Sequence, residues 1–195
     1  FHIGNFAYDQ VLLNFDVTKS LSLADVPVAL ALGVEYRNEN YKTTQGDEAS
    51  YALGSNLGAA PGSQGIQGLR PEDAIDVDRD AISLYVDVEF EITDELLIGT
   101  AMRYEDYSDF GDTLVSKLTA RYAITDNIAL RTALSTGFRA PSLIQNNYQA
   151  TSTDFGEMGA LSTFAILPAT DSLALALGAE ALNPEDSDNI SVGLS

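Results

Sequence analysis

The stretch Ala81-Ile82-Ser83-Leu84-Tyr85-Val86-Asp87-Val88-Glu89-Phe90-Glu91-Ile92 alternates without a break. Ile82, Leu84, Val86, Val88, Phe90 and Ile92 fall on one side of a period of two. Ser83, Tyr85, Asp87, Glu89 and Glu91 fall on the other. A helix would scatter these charges through its apolar stripe, so the stretch reads as a strand with one apolar and one polar face. Its neighbours read alike. In 96–107, Leu96, Ile98, Met102 and Tyr104 oppose Gly99, Ala101, Arg103 and Glu105. In 114–124, Leu118, Tyr122 and Ile124 oppose Lys117, Thr119 and Arg121, and in 128–138, Ile128, Leu130, Leu134 and Phe138 oppose Arg131 and Ser135. Upstream, 11–19 and 28–37 repeat the pattern, and 189–195 starts it again. The expectation is seven strands in an all-β, antiparallel up-and-down meander.

The connections are one-sided. The segments 20–27, 93–95 and 125–127 are short, whereas 38–80, 106–113 and 139–188 lie at the opposite edge and two of them are long. Outer-membrane barrels pair short periplasmic turns with long extracellular loops, and soluble domains seldom place two long structureless loops on one side. Several strands run to about 11 residues, which at a tilt of about 40° cross the ~25 Å apolar band of such a membrane. Tyr36, Tyr104, Tyr107 and Phe138 stand near the long-loop ends, where an aromatic girdle would sit. The pattern predicts a partial transmembrane β-barrel with long extracellular loops. A soluble antiparallel sandwich or meander also alternates, with one face in a core, and stays open at this point.

Composition narrows the function. The chain has 195 residues, 29 acidic against 10 basic, and a net charge of -19. Nucleic acid and anionic lipid call for a basic surface, so neither is an expected partner. There is no Cys, which excludes disulfides and thiolate metal sites. Phe1 to Asn5 lacks the form of a signal peptide, and no apolar run is long enough for a transmembrane helix.

Catalysis finds no constellation. His2 is the sole His and there is no G-x-S-x-G elbow. Asp87, Glu89 and Glu91 share one strand face, where they read as interior charges opposite Arg103 and Arg121 rather than as a hydrolase pair. The chain is therefore read as a non-enzyme that needs no cofactor. Tyr85, Asp87, Glu89, Arg103 and Arg131 read as hydration or packing groups of the polar face. Asp76, Asp78 and Asp80 have the D-x-D-x-D spacing that opens a calcium loop, but Ala81 and Asp87 stand where its Gly and Glu belong. They are weak calcium candidates beside the default of a solvated acidic loop, as are Asp47, Glu48, Asp186 and Asp188. The glycines Gly58, Gly62, Gly65 and Gly68 lack a phosphate-loop pattern and read as a flexible, ligand-accessible loop.

Ser135-Thr136-Gly137-Phe138-Arg139-Ala140-Pro141-Ser142 carries a different signal. Arg139 at a loop base suits an anionic ligand or a bidentate carboxylate. The plainer role is structural: Gly137, Phe138, Arg139, Ala140, Pro141 and Ser142 form a loop-base motif in which Pro141 restrains Ala140. This segment, together with Arg103-Tyr104-Glu105-Asp106-Tyr107-Ser108-Asp109-Phe110-Gly111, Ala31-Leu32-Gly33-Val34-Glu35-Tyr36-Arg37 and Leu182-Asn183-Pro184-Glu185-Asp186-Ser187-Asp188-Asn189, resembles the barrel of TonB-dependent outer-membrane receptors in motif order. The resemblance spans nearly the whole chain. It implies a slice of a ~22-stranded barrel filled by a plug, residing in bacterial outer-membrane lipid. Such a receptor takes up a small scarce nutrient, such as an iron-siderophore complex or cobalamin, powered by a TonB-type energy-coupling protein that grips the plug region. No plug domain is legible in residues 1–195. A self-contained soluble binding or adhesion module and a passive porin-like channel are the alternatives.

Overall fold

The computed structural model describes residues 2–55, 60–62, 67–156 and 159–195. Among these residues there are nine strands, β1 (Asn5–Leu23), β2 (Val26–Thr44), β3 (Asp76–Glu91), β4 (Leu96–Tyr107), β5 (Gly111–Thr125), β6 (Ile128–Arg139), β7 (Ala150–Phe155), β8 (Leu161–Ile166) and β9 (Glu185–Leu194), and two short α-helices, α1 (Leu143–Asn147) and α2 (Ser172–Ala176). One seven-stranded sheet has the order β1-β2-β3-β4-β5-β6-β9, and β7 and β8 form a separate hairpin. The sheet is an open antiparallel meander, which is a partial barrel rather than a closed one.

The chain divides into two compact units. The wall unit comprises Val11–Asn38, Arg79–Ala140 and Asn183–Ser195. Directly paired residues on antiparallel strands point to the same side, so register carries each face across the wall. Val88, Thr100, Leu118, Leu134 and Ile190 form one such row, and Phe90, Ile98, Ala120, Thr132 and Val192 the next. The apolar side of these rows is open to its surroundings: Leu84, Leu114, Leu118, Leu134, Ile190 and Val192 are all exposed. A soluble sandwich would cover this surface, because soluble monomers seldom expose an apolar patch larger than a few hundred Å². The opposite rows, such as Asp87, Ala101, Lys117, Ser135 and Asn189, are polar or small.

The loop unit comprises Phe1–Gln10, Glu39–Asp78 and Pro141–Leu182. Its core is small: Tyr41, Leu69 and Leu143 are buried, and Ser50 is sealed completely. Ser50 Oγ donates to the Asp47 carbonyl at 2.6 Å. Gly68 abuts Ser50 so closely that a Cβ there would lie 1.8 Å from the hydroxyl oxygen.

Several expected boundaries move. The first two strands run to 19 residues each, beyond 11–19 and 28–37. The loop expected at 38–80 loses its two ends, because β2 continues to Thr44 and β3 begins at Asp76. The alternation persists there while one face changes chemistry. On β2 the side that carries Leu32, Val34 and Tyr36 continues as Asn38, Asn40 and Lys42, and on β3 Asp76, Asp78 and Asp80 precede Ile82 and Leu84. The segment expected as a loop at 139–188 holds α1, the β7–β8 hairpin and α2, and β9 begins at Glu185. Ser142 caps α1 by accepting from the Gln145 amide, while Gln145 Oε1 accepts from the Ser142 amide at 2.9 Å.

The connection expected at 20–27 shrinks to Ala24-Asp25, with φ of 50° and 68°. Two left-handed residues make the tight hairpin turn that follows the twist of its strands. Asp tolerates this conformation better than Ala, whose Cβ crowds the backbone. Ala24→Gly is expected to stabilise the hairpin by about 1 kcal/mol. The check is the urea midpoint of the detergent-solubilised protein.

Candidate functional site

The polar face of the wall unit carries a compact ion network. Arg103 on β4 donates to Glu35 on β2 at 2.9 Å, to Ser83 on β3 at 3.0 Å and through Nε to Glu105. Arg37 reaches Glu105 at 3.5 Å and donates to the Tyr107 hydroxyl at 2.7 Å. Tyr107 in turn donates to Glu105 at 2.5 Å. Arg79 pairs with Asp109 at 3.5 Å, and its guanidinium lies 5.4 Å from the centre of the Tyr107 ring. Through these contacts Arg37, Arg79 and Arg103 are each paired with a carboxylate. The Tyr107 side chain is buried, and its bonds to Arg37 and Glu105 both lie within the network. Phe110 stacks on the ring at 4.4 Å and Phe138 meets it edge-on at 6.0 Å. Tyr107 therefore belongs to this interior network and not to a girdle. It sits one step past Asp106 on the alternation, and that parity places it with Glu105 and Arg103. Tyr36 and Tyr104 are exposed on the apolar side, as a girdle requires.

Further along the same wall, the Tyr85 ring crosses Gly33 to donate its hydroxyl to Asp16 at 2.6 Å. A Cβ on Gly33 would lie 2.2 Å from the ring. Gly33→Val is expected to expel Tyr85 and cost about 2–3 kcal/mol as an overpacking defect, whereas Tyr85→Phe loses only a hydrogen bond worth about 1 kcal/mol. Equal unfolding shifts for the two variants would contradict the close approach.

In the loop unit, the two long inter-strand segments are stitched together. Buried Asp73 accepts from the Thr151 hydroxyl at 2.8 Å, the Thr151 amide at 3.1 Å and the Arg70 amide at 3.1 Å. Gln67 exchanges two bonds with the backbone of Thr153, and Arg70 donates to the Thr153 hydroxyl at 2.8 Å. Beside this seam lies an apolar hollow of about 450 Å³ that includes Ile3, Phe6, Leu69, Tyr148, Phe164 and Ile166. Phe6 and Tyr148 stack at 6.3 Å. A hollow of this size, walled by aromatics with a few hydroxyls and amides, suits a partly apolar small molecule.

The residues singled out in the sequence fall as follows. Gly137, Phe138 and Arg139 end β6, where Arg139 stands opposite Glu185. Arg139 is exposed and makes no ion pair among the described residues. Ala140 and Pro141 follow, and Ser142 is the helix cap. Asp76, Asp78 and Asp80 lie on a strand rather than in a loop, because the alternation runs through them. On a strand, side chains two positions apart are about 6.6 Å apart along the axis, too far for all three to converge on one ion. Each has local partners instead. Asp76 accepts from Asn40 at 2.9 Å and Lys42 at 2.5 Å, Asp78 from Asn40 at 3.0 Å, and Asp80 from Tyr36 at 2.6 Å and Asn38 at 3.0 Å. Gly58 and Gly65 lie outside the described residues. His2 is held by its amide, which donates to Asp47 at 2.8 Å. The seam through Asp73, Gln67 and Thr151 escaped the sequence reading, since nothing local marks a contact between residues 78 positions apart.

A family profile described as TonB dependent receptor-like, beta-barrel, matches residues 3–195. The chain belongs to this family. It is 25% identical over 140 residues to the ferrienterobactin receptor of Escherichia coli (strain K12), a match that covers 71% of the chain and 18% of that receptor. The siderophore receptor PirA from Pseudomonas aeruginosa shares the fold with a TM-score of 0.66 at 18% identity, over 97% of this chain and 29% of that one. PirA from Acinetobacter baumannii gives 0.63 at 19%, over 97% and 25%. A ferric enterobactin receptor mutant from Pseudomonas aeruginosa, solved with enterobactin, gives 0.65 at 19%, over 97% and 25%. Each of these relatives is named as a receptor. The chain spans about a fifth of the curated relative and a quarter or slightly more of the solved ones. One uncovered apolar side and one polar side are the pair of faces that a barrel wall of this family presents.

Proposed function

We propose that this chain forms part of the barrel wall of a bacterial outer-membrane receptor that takes up an iron-siderophore complex. The supporting observation is the TonB-dependent receptor profile running over residues 3–195, on a wall whose apolar rows are uncovered. The named relatives favour a siderophore over cobalamin as cargo. In this reading β1–β6 and β9 cross the membrane, and the segments between β2 and β3 and between β6 and β9 face the outside. The loop-base motif Gly137 to Ser142 turns the chain from wall to loop: Phe138 wedges against Tyr107 and Ser142 starts α1. The apolar hollow beside the Asp73 seam offers the ligand its first contact. A TonB-type protein supplies energy through a plug domain elsewhere in the same receptor.

The reading is tested by fractionating cell membranes and blotting with an antibody to the 139–188 segment, then growing a deletion strain on single ferric siderophores under iron limitation. An outer-membrane band several times larger than 20.8 kDa, and loss of growth on one siderophore, are expected. A soluble band at 20.8 kDa, or undiminished growth on every siderophore supplied, would overturn it.

A further inference from the structure

The hollow in the loop unit is apolar at its floor and at its rim. Leu69 is buried at the bottom, while Phe6, Phe164 and Ile166 stand around it with more than half of their surface open. Large apolar side chains left open around a concavity mark a binding surface. The volume of about 450 Å³ falls within the range of small-molecule sites, ~300–1,000 Å³. Among the described residues no charged side chain lines it. Two of its polar side chains are already engaged: Thr151 donates to Asp73, and Gln67 exchanges two bonds with the backbone of Thr153.

The nearest charges are negative. Asp73 lies directly behind Thr151 and is buried. The β7–β8 hairpin gives the hollow the side on which Ala150 pairs with Ile166 and Ser152 with Phe164, and the next pair on that side is Asp154 with Ser162. Cations to offset these acids are committed elsewhere. In its sequence the loop unit has two basic residues, Lys42 and Arg70, against twelve acidic ones. Lys42 pairs with Asp76 at 2.5 Å. Arg70 donates to the Thr153 hydroxyl at 2.8 Å and lies 3.8 Å from Glu72. An anion entering the hollow would give up water and meet no opposite charge. It would also approach the Asp73 carboxylate, whose charge salt screens little because it is buried.

Ferric chelates differ in net charge by their ligand chemistry. Three catecholates bring six negative charges to iron(III) and leave an excess of three. Three hydroxamates bring three and leave the complex neutral, with its carbon chains outermost. We infer that the cargo of this receptor is an uncharged ferric chelate of the tris(hydroxamate) class, whose carbon chains seat among Phe6, Tyr148, Phe164 and Ile166. The inference rests on the reading of the chain as part of a siderophore receptor, and it narrows the cargo by charge. The hollow supplies what a neutral chelate needs, apolar area without a counter-charge, and withholds what an anionic chelate needs. The relatives named for enterobactin are 25% identical or less, which leaves room for a different cargo.

The test uses the full receptor purified from outer membranes in detergent and three radioiron probes. Ferrichrome and N-acetylated ferrioxamine B are neutral tris(hydroxamates), one cyclic and one linear, and ferric enterobactin is a tris(catecholate). At least one hydroxamate is expected to bind about tenfold or more tighter than enterobactin. Its affinity should stay level as sodium chloride rises from about 0.05 to 0.5 M, because a neutral ligand offers nothing to screen. Phe164→Asp is expected to weaken hydroxamate binding about tenfold or more. Ser152→Arg, at an exposed position opposite Phe164, is expected to raise enterobactin affinity by supplying the missing cation. Heat-modifiable gel mobility shows that each variant is folded, and Phe164→Ala replaces Phe164→Asp if that one is not. Enterobactin bound more tightly than either hydroxamate, or hydroxamate binding untouched by the Phe164 change, overturns the inference and leaves the siderophore reading standing. Binding of none of the three also overturns it. Growth of the deletion strain on single ferric siderophores then shows separately whether the siderophore reading falls with it.

Discussion

Asp73→Ala is expected to release the β7–β8 hairpin from the rest of the loop unit. The carboxylate is buried and accepts three bonds, two from Thr151 and one from the Arg70 amide. Removing it orphans two backbone N–H groups and a hydroxyl in a site with little water, and each orphan costs about 1–3 kcal/mol. The loss is set at about 3–5 kcal/mol, the lower part of that sum and what breaking a buried charged contact typically costs. It exceeds what the small core of Tyr41, Leu69 and Leu143 is placed to absorb. Hydrogen exchange at the Thr151 amide should rise to the rate of an open loop, and limited proteolysis should cut within 141–182 while the wall stays intact. Asp73→Asn keeps one acceptor oxygen but turns an NH₂ toward a donor, so an intermediate loss is expected. A Thr151 amide still protected in Asp73→Ala would show that the hairpin is held by something else.

The second large effect is expected from Glu105→Gln. Glu105 is the acceptor that Arg37, Arg103 and Tyr107 share. Glutamine keeps one acceptor oxygen, aims donors at donors, and removes the negative charge that Arg37 and Arg103 share. Because Arg37 and Arg103 retain partial contact with water, the loss is set at about 2–3 kcal/mol, below that of a fully buried pair. A double-mutant cycle isolates the mechanism. Tyr107→Phe alone should cost about 1–2 kcal/mol for a bond to a charged group, and much less in the Glu105→Gln background. Additive unfolding shifts would mean that the phenol and the carboxylate act independently, contrary to the 2.5 Å contact.

The wall was legible in the sequence because a strand with one lipid-type face and one polar face writes its period directly into the residues. Ser83 to Glu91 and Leu96 to Glu105 show both faces, and their observed register follows the alternation. The ends were not legible, for a physical reason. Past Tyr36 and ahead of Ile82 the formerly apolar side turns polar, with Asn38, Asn40, Asp78 and Asp80, while Tyr41 and Ala81 on the other side become buried. The period of two survives, but a reading keyed to apolar residues on one side stops where the sides exchange chemistry. The loop unit was the least legible. Asp73 and Thr151, or Gln67 and Thr153, are ordinary loop residues whose meaning lies in contacts far along the chain. The ion network falls between these cases: Glu35, Arg37, Arg103 and Glu105 showed their face, but not that they meet around Tyr107.

The sheet is open, and its outermost ribbons are β1 and β9. Among the described residues no further strand pairs with the outer edge of either, and these edges carry Leu13, Phe15 and Val17 on one and Ile190, Val192 and Leu194 on the other, the last three between 72 and 79% exposed. Bare, long and apolar edges are templates for strand addition between molecules. Residues 1–195 produced alone should therefore recruit copies of themselves, edge onto edge, into ribbons that bind amyloid dyes and resist mild detergent. The same two edges, each met by the next strand of a closing barrel, are what would make the wall seamless.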